Sequence, residues 1–363
     1  MSMKLETAVS LDDRVVKQSM ARFSVSEAHR LVKDLFRPRM HWYWLDFLGS
    51  WIAGIGAFWA VGPLGYYTPE ALMVFVVSAF ALYRAAAFIH ELVHFRSKRV
   101  FRRFRAAWNI LCGIPFLIPV FMYDCHSEHH NRRRYGTDRD AEYVPYGSLP
   151  SQRLIGVILS APFVAFFGPY RFAIMTPLAW VIPRLRTYVY TRISSLKLDL
   201  EYEGHPPRNR AERRRWVVQE AACLVFIVVS VTAAVLGWID WQRLAQWLAT
   251  VGLISVVNVF RLLAAHRYIG DEEPMSLVEQ MMDTVNHPRR PLIAELWAPV
   301  GLRLHALHHL MPGLPYHAYP EAHRRLVAGL PQDSAYRMTE SPGMWASLLQ
   351  LWRTAGRYRK AAA

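Results

Sequence analysis

Charged residues and cysteines are scarce in this sequence. Only 20% of the 363 residues are charged, and no charged residue occurs between Asp46 and Glu70 or from Ala221 to Ile239. Uncharged runs of this length can cross a bilayer, which takes roughly 20 apolar residues, so a small soluble protein is excluded. The three cysteines are too few and too scattered for a disulfide framework, and they favour a reducing compartment.

Positive charge, in contrast, is in excess. Lys and Arg number 43 against 28 Asp and Glu, which gives a formal charge of +15. Nucleic-acid binding could explain such a balance, but binding a duplex does not require membrane spans. We therefore assign the charge to the membrane surface and predict no nucleic-acid partner. The first 40 residues contain no apolar stretch that could act as a secretory signal, so we expect the N-terminus to remain in the cytoplasm.

The apolar runs predict an all-α integral membrane fold with four transmembrane helices in two hairpins and a cytoplasmic helical cap. The predicted spans are residues 43–62, 71–89, 216–238 and 244–265. Glycines and prolines interrupt two further apolar stretches, 106–123 and 154–183, and either could span or lie at the interface as a broken helix. The predicted units are a cytoplasmic N-terminal segment 1–42, a first hairpin 43–94, a cytoplasmic or interfacial region 95–215, a second hairpin 216–266 and a cytoplasmic C-terminal region 267–363.

The distribution of Lys and Arg predicts the orientation. Several arginines follow the second span and precede the third, whereas the loop after the first span has no Lys or Arg and the loop after the third has only Arg243. By the positive-inside rule, both termini and residues 95–215 are cytoplasmic.

Eight of the fifteen histidines fall into three clusters. These are His90 and His94 in HELVH, His126, His129 and His130 in HSEHH, and His305, His308 and His309 in HALHH. On a helix, residues three and four apart share a face, while adjacent side chains diverge by about 100°. Each H-x-x-H-H segment can therefore supply ligands to two neighbouring metal ions. Thiol-free imidazole ligands suit iron, copper, zinc or nickel, and ligand softness does not choose among them.

Other interpretations of the clusters remain open at this point. Each cluster alone could be a polar face of a solvated helix. HELVH also matches the zinc-protease signature, in which Glu91 would activate water, but a protease leaves both H-x-x-H-H clusters without a role. A non-catalytic metal-binding or lipid-binding membrane protein is a further alternative, and it would tolerate loss of a single histidine. A shared site requires all clusters on one side of the bilayer, which argues against residues 106–123 crossing alone.

The order and spacing of the clusters resemble the membrane fatty acid desaturase superfamily, from about residue 31 to 326. The segment HALHHLMPGLPYHAYPEAHRRL carries much of the likeness. The resemblance implies a non-haem di-iron oxidoreductase that uses O2 and two external electrons. It adds a ninth histidine, His266 in FRLLAAH, although Leu262 stands where relatives have asparagine. The implied metal-binding and catalytic residues are His90, His94, His126, His129, His130, His266, His305, His308 and His309.

The resemblance implies oxidation of a fatty acyl chain, with desaturation as the first expectation. The alternatives are decarboxylation of a free fatty acid to a terminal alkene and hydroxylation; GTDRDAEYVP resembles a bacterial subgroup that includes the decarboxylases. A bacterial inner membrane location follows. A His-Pro-Gly-Gly haem signature is absent, so we expect a separate electron donor such as a ferredoxin, which a basic surface would attract.

Five acidic residues near the second cluster are candidates to fix histidine tautomers, or merely to balance nearby arginines: Asp124, Glu128, Asp138, Asp140 and Glu142. Arg84 interrupts the second span, and we expect it to pair with Glu91 or another acid, to line the substrate path, or to extend to the interface. The histidines outside the clusters are expected at the surface or in packing, with His287 as a candidate for supporting the site: His29, His41, His205, His287, His317 and His323.

Overall fold

The computed structural model describes residues 13–270 and 273–356, and the regular elements in these residues are helices. Isolated backbone bridges, such as His266 with Thr284, are the strand-like pairings within the same ranges. The all-α prediction is therefore confirmed. The first twelve residues of the predicted N-terminal segment, and positions 271–272 and 357–363 of the C-terminal region, lie outside the described residues.

Seventeen α-helices follow one another along the described chain. They are α1 Asp13–Arg22, α2 Val25–Val32, α3 Met40–Ala60, α4 Pro69–His94, α5 Arg102–Trp108, α6 His126–His129, α7 Gln152–Ser160, α8 Val164–Pro169, α9 Thr176–Val181, α10 Pro183–Arg192, α11 Arg210–Val235, α12 Trp241–Ala265, α13 Leu277–Asp283, α14 Pro291–Trp297, α15 His305–Leu310, α16 Tyr319–Gly329 and α17 Met344–Thr354. Short 3-10 turns and two π-helical turns, Asn109–Gly113 and Tyr170–Met175, lie between them.

The first hairpin consists of α3 and α4. Thr68 ends the turn between them, and its hydroxyl accepts a hydrogen bond from Ala71 N, which caps α4. Gly54 allows a close approach of the two helices, since a Cβ there would lie 2.6 Å from Leu82 Cγ. Ser78 donates a hydrogen bond to Gly54 O at 2.8 Å across the same contact. The tight pairing fixes the last turn of α4 beside the first turn of α3.

Four helical stretches are long and apolar enough to cross a membrane: Pro69–His94, Gln152–Val181, Arg210–Val235 and Trp241–Ala265. The predicted number of four is confirmed, and three of the predicted spans coincide with these helices, except that residues 236–238 of the third lie beyond the end of α11. The fourth differs. The predicted first span forms α3, whose 21 residues rise about 32 Å, but its tryptophans, tyrosine and Asp46 lower its hydropathy. Gln152–Val181, which the sequence left open, is the fourth helical stretch that is long and apolar enough.

The first ambiguous stretch, residues 106–123, reverses direction instead of crossing as one helix. It contains the end of α5, the π-helical turn Asn109–Gly113 and the 3-10 turn Val120–Tyr123. Val120 N donates to the side chain of Asn109 at 2.9 Å, which ties the outgoing and returning chain together. The expectation that this stretch does not cross alone agrees with the structure.

The second ambiguous stretch, Gln152–Val181, is a broken helix. Pro162 lies in a 3-10 turn and Pro169 ends α8, and proline removes the donor that a continuous helix needs. The flanking chain lies at the histidine-bearing end on both sides, because Gly147 N bonds to Tyr268 O and Leu196 N bonds to Met122 O. Gln152–Val181 and α10 together therefore leave that end and return to it, and α7 and α8 pack along α12.

The C-terminal helices form a separate layer over the histidine-bearing end. α13 packs against α15, and α16 packs against α2. Their shared core includes Met281, Leu307, Leu310, Tyr319 and Leu326, all at most 3% exposed. This core holds α15 in place from the side opposite the membrane helices.

Candidate metal centre

Four chain segments bring the nine predicted histidines together. The end of α4 carries two, α6 and the residue after it carry three, the residue after α12 is one, and α15 carries three. All are buried except His94 and His130, which are half-buried. Short helices suit this role because they present side chains three and four residues apart on one face.

The nine rings divide into two groups in which the ligand nitrogens lie within 4.8 Å of one another. The first group is His90, His94, His126, His130 and His308, and the second group is His129, His266, His305 and His309. The adjacent histidines of each H-x-x-H-H segment fall in different groups, as the divergence of neighbouring helical side chains predicts.

Ring nitrogens within each group approach one another closely. The Nε2–Nε2 distances are 3.1 Å for His126 with His94, 3.1 Å for His130 with His126, 2.9 Å for His308 with His130, 3.0 Å for His305 with His266 and 3.2 Å for His309 with His305. Two nitrogens about 2.1 Å from one ion and at a right angle would be about 3.0 Å apart. The spacing therefore fits rings that share a cation.

Unsatisfied ring nitrogens support the same interpretation. Nε2 of His90 and Nε2 of His129 are buried and make no hydrogen bond to any described residue. Buried polar atoms are normally hydrogen-bonded. These two atoms belong to different groups, so a metal ion in each group would satisfy both; Nδ1 of His90, His130, His305 and His309 is likewise buried without a partner among the described residues.

Two of the five candidate acids orient histidines. Nδ1 of His129 lies 2.9 and 3.0 Å from the two carboxylate oxygens of Asp140, and Nδ1 of His126 lies 2.6 Å from Glu142 Oε1. A carboxylate on Nδ1 fixes the tautomer that leaves Nε2 free to bind metal. Burial raises the pKa of Glu142 to about 7, against the opposing charges of His129 and Arg261.

The other three candidate acids lie away from the rings. Asp124 pairs with Arg96 at 3.1 Å and Glu128 pairs with Arg134 at 2.5 Å, while Asp138 is exposed. The alternative explanation, balancing nearby arginines, therefore fits Asp124 and Glu128.

Sequence reasoning missed three further residues that contact the rings. Tyr135 Oη lies 3.1 Å from His266 Nδ1 and donates to Asp283 at 2.5 Å. Tyr319 Oη lies 2.7 Å from His308 Nδ1. Asp283 is 148 residues from Tyr135 in the chain, so no local spacing could have linked them.

Most of the rings outside the membrane helices are neutral at pH 7. Burial lowers the pKa of His126, His130, His305, His308 and His309 well below the ordinary value of 6.5, and lowers that of His266 to about 4. Neutral imidazole is the form that binds metal. In His129 burial also lowers the pKa, but the negative charge of Asp140 and its hydrogen bond outweigh burial and raise the pKa overall. Asp140 therefore favours positive charge at this position, which a bound cation would supply.

Glu91 does not face the histidine groups. Its Oε2 accepts hydrogen bonds from Tyr43 Oη at 2.5 Å and from Tyr316 N at 3.2 Å. A zinc protease would need this carboxylate beside the metal-bound water. The orientation of Glu91, and the five-histidine group around His90 and His94, count against that alternative.

Arg84 pairs with acids other than Glu91. Its guanidinium donates twice to Asp46, at 2.6 Å each, and once to Glu295 at 2.9 Å. The suggested pairing with Glu91 is wrong: Glu91 lies about two turns further along α4, and its carboxylate accepts from Tyr43 and Tyr316 instead. Arg84 links α14 to the first hairpin, and it does not line the cavity described below.

The remaining histidines lie outside both groups, as expected. His29, His41 and His205 are exposed. The other three bond to residues remote from the rings: His287 to Ser347 Oγ at 2.9 Å, His317 to Arg39 N at 3.0 Å and His323 to Tyr336 Oη at 2.8 Å. His287 therefore does not support the histidine groups directly.

A cavity of about 370 Å³ adjoins the first histidine group. His90, Tyr123 and Glu142 contribute to its wall, and most of the remaining lining is apolar. Lining residues on α12 run from Val251 to Leu262, which is about 17 Å of helix at 1.5 Å per residue. The two reversing stretches supply the other walls. The cavity therefore has the length and polarity to take a hydrocarbon chain up to a histidine of the first group.

Comparisons with known proteins agree with this site. The fatty acid desaturase family model matches residues 71–341, a range that contains all nine histidines. The chain is also 36% identical over 332 residues to a ceramide hydroxylase of Caulobacter vibrioides (strain NA1000 / CB15N), a match that covers 90% of this chain and 92% of the relative. The protein is a membrane oxidoreductase of lipid metabolism, and it belongs to the fatty acid desaturase family.

Proposed function

We propose that this protein is an O2-dependent, non-haem di-iron hydroxylase of a long-chain lipid of the ceramide type. The observation that carries the proposal is that His90 belongs both to the first histidine group and to the wall of the apolar cavity. A chain in the cavity is thereby led to the ring nitrogens. We place hydroxylation ahead of desaturation, the first expectation from sequence, because the relative at 36% identity is named a ceramide hydroxylase.

The two groups would hold one iron ion each, by five and four histidines. The chemistry that such a centre supplies when loaded is activation of O2 with two external electrons for attack on an aliphatic C–H bond. The protein's own residues do the rest. Asp140 and Glu142 hold the Nδ1 protons of His129 and His126, and the aliphatic cavity wall excludes water and orients the chain.

Desaturation is the second candidate, because the matching family model is that of fatty acid desaturases. The two reactions differ in the fate of the substrate: hydroxylation adds one oxygen atom, whereas desaturation removes two hydrogen atoms. Decarboxylation would remove CO2 from a free acid.

Product analysis tests the proposal. Membranes that contain the protein are supplied with reduced ferredoxin as electron donor, a ceramide and a free fatty acid under ¹⁸O2, and the lipids are analysed by mass spectrometry. We expect one labelled oxygen atom in the ceramide. His129→Ala should abolish the product, while His41→Ala, an exposed histidine outside both groups, should not. Loss of two hydrogens or of CO2 would contradict hydroxylation, and no change in any lipid with iron-loaded protein would contradict lipid oxidation.

We further propose that an acidic one-electron carrier, such as a ferredoxin, docks on the basic surface near the histidine-bearing end. Exposed basic residues follow α4 and α6: Lys98, Arg99, Arg102, Arg103, Arg132 and Arg133. Complementary charge accelerates such encounters, and salt screens it. Reduction of the protein by a purified ferredoxin should therefore slow steeply with ionic strength, and salt-independent reduction would contradict this docking.

We also propose that the histidine groups and both termini face the cytoplasm of a bacterial inner membrane. The excess of Lys and Arg after α4 and at the start of α11 supports this orientation. Labelling of single cysteines introduced at exposed positions 99 and 214 should require a membrane-permeable reagent in intact cells. Labelling by an impermeant reagent would reverse the assignment.

A further inference from the structure

Arg261 is a buried cation in the wall of the apolar cavity. It lies on α12 five residues before His266, is 5% exposed, and lines the same cavity as His90. Its nearest lining neighbours on the helix are aliphatic, Val259 and Leu262. A guanidinium in such surroundings has lost most of its hydration, which is costly unless another group replaces the water.

The protein supplies few hydrogen-bond acceptors to Arg261 in place of that water. Nε and Nη2 of Arg261 donate to a single atom, Asn258 Oδ1, at 3.3 and 2.8 Å, and Tyr83 Oη donates to the same atom at 3.3 Å. Among the described residues, no carboxylate lies within ion-pair distance of Arg261; the Tyr83 hydroxyl is its other polar neighbour, and the charge of Glu142 in the same wall acts on it from a greater distance. The cation is thus held in position without a carboxylate in direct contact.

Other buried arginines in the protein are more fully satisfied. Arg171 pairs with Glu220 at 2.5 Å, and Arg303 pairs with Glu295 at 3.0 Å. Arg243 donates to Phe58 O and Trp59 O. The contrast indicates that Arg261 keeps donors for a group that enters the cavity.

We propose that Arg261 is a substrate-positioning residue that binds the acyl oxygen of the lipid, either the amide carbonyl of an N-acyl chain or the carboxylate of a free acid. This inference rests on the proposed function and names the part of the substrate that the cavity recognises. A guanidinium has a planar set of donors that suits such oxygens. The five residues from Arg261 to His266 correspond to about 7.5 Å of helix, so binding there would keep the oxidised carbon near the acyl oxygen.

A phosphate group fits this cavity less well. Several donors are needed to replace the hydration of a phosphate, and the other cation in the lining is already engaged. Lys197 Nζ donates to the carbonyl oxygens of Leu200 and Tyr202 at 2.9 and 2.7 Å. Glu142 in the same wall would repel a multiply charged anion. The donors of one guanidinium are enough for a single carbonyl or carboxylate group.

Equilibrium binding tests the proposal with the full-length protein in nanodiscs. The probes are three tritiated lipids of equal chain length: an N-acyl sphingoid base, the free fatty acid, and an alkyl ether that lacks the carbonyl. The variants are Arg261→Leu, Arg261→Lys and, as a control in the same wall, Ser255→Ala, whose hydroxyl bonds only to Val251 O of its own helix at 2.8 Å.

We expect the wild-type protein to bind at least one acyl lipid roughly tenfold more tightly than the ether, since a hydrogen bond to a charged group has about that effect. Arg261→Leu should remove the preference without weakening ether binding, Arg261→Lys should keep part of it, and Ser255→Ala should keep it. The lipid whose affinity falls distinguishes amide from acid. In turnover, Arg261→Leu should also spread the hydroxyl over several chain positions, which a merely structural role would not do.

Two results would overturn the inference: equal binding of acyl lipids and ether by the wild-type protein, which requires no variant to fold, or a preference that persists in Arg261→Leu. The proposed function fails separately. If the binding preference depends on Arg261 but no lipid gains oxygen, the role of Arg261 in binding the acyl oxygen is supported and hydroxylation is contradicted. If oxygen is inserted without any such preference, hydroxylation is supported and the role of Arg261 in binding the acyl oxygen is contradicted.

Discussion

Replacement of Asp140 by asparagine should impair the metal centre although it changes only one atom. The two carboxylate oxygens of Asp140 receive three donors: His129 Nδ1 faces both, Gly136 N donates to Oδ2 at 3.1 Å and Glu142 N donates to Oδ1 at 3.0 Å. In Asp140→Asn, either orientation of the amide turns its NH2 group toward one backbone N–H. The side chain is fully buried, so water cannot relieve that contact.

The expected magnitude follows from two independent arguments. A buried donor left without an acceptor costs about 1–3 kcal/mol. Loss of the partner that orients a metal-binding histidine lowers metal affinity or activity by roughly 10- to 100-fold, which corresponds to about 1.4–2.8 kcal/mol. The loss of negative charge beside His129 acts in the same direction, because that charge favours a cation at the ring.

The assay is iron content per chain together with lipid turnover. Asp138→Asn is the matched control, since Asp138 lies two residues earlier in the same loop and is exposed. We expect Asp140→Asn to lose iron, turnover or both by at least tenfold while Asp138→Asn matches the wild type. If both variants retained wild-type iron and turnover, our account of how His129 is oriented would be refuted.

Three further predictions concern other parts of the protein. Glu91→Gln keeps an acceptor for Tyr43 and should lower stability by only about 1 kcal/mol with little change in turnover. Complete loss of lipid turnover would instead show that Glu91 takes part in the reaction. Ala161→Phe places a ring in the cavity wall and should shift the preferred substrate to shorter chains. We expect kcat/KM to fall about fourfold for each methylene group that the ring excludes from the cavity. An unchanged chain-length profile would show that the chain does not occupy this cavity. Arg84→Leu leaves Asp46 and Glu295 without their cation. It should lower the free energy of unfolding, measured by thermal denaturation, by about 2 kcal/mol, which is less than for a fully buried pair because these side chains are partly exposed. An unchanged melting temperature would show that the ion pairs add no stability.

The helices and the histidine clusters could be predicted because both are local patterns. Apolar runs predicted α4, α11 and α12, and spacing within each cluster predicted that His129 and His130 would serve different groups. The predicted span 43–62 forms the helix α3, but its tryptophans, tyrosine and Asp46 lower its hydropathy, and it is not among the four candidate spans. Hydropathy also could not distinguish a straight span from Gln152–Val181, where prolines break the helix.

Contacts between distant segments could not be predicted from one sequence. Five acids surround the second cluster, and only the folded chain selects Asp140 and Glu142. Tyr135, in the loop after α6, and Asp283, at the end of α13, meet near His266. Arg84 pairs with Asp46 and Glu295, not with Glu91, which is nearer in sequence. The cavity is likewise a product of packing between α4, α12 and the two reversing stretches. Periodicity carries no information about such pairings, which depend on how the helices are arranged.

The division of each adjacent histidine pair between the two groups makes the groups interdependent. A peptide bond joins His129 to His130, and another joins His308 to His309, so a small rotation of either short helix displaces rings of both groups at once. Neither set of ligands can be remodelled in isolation, and a substitution that loosens one set also disturbs the other. We therefore expect the two proposed iron ions to be gained and lost as a pair, with little protein carrying a single ion during loading or chelation.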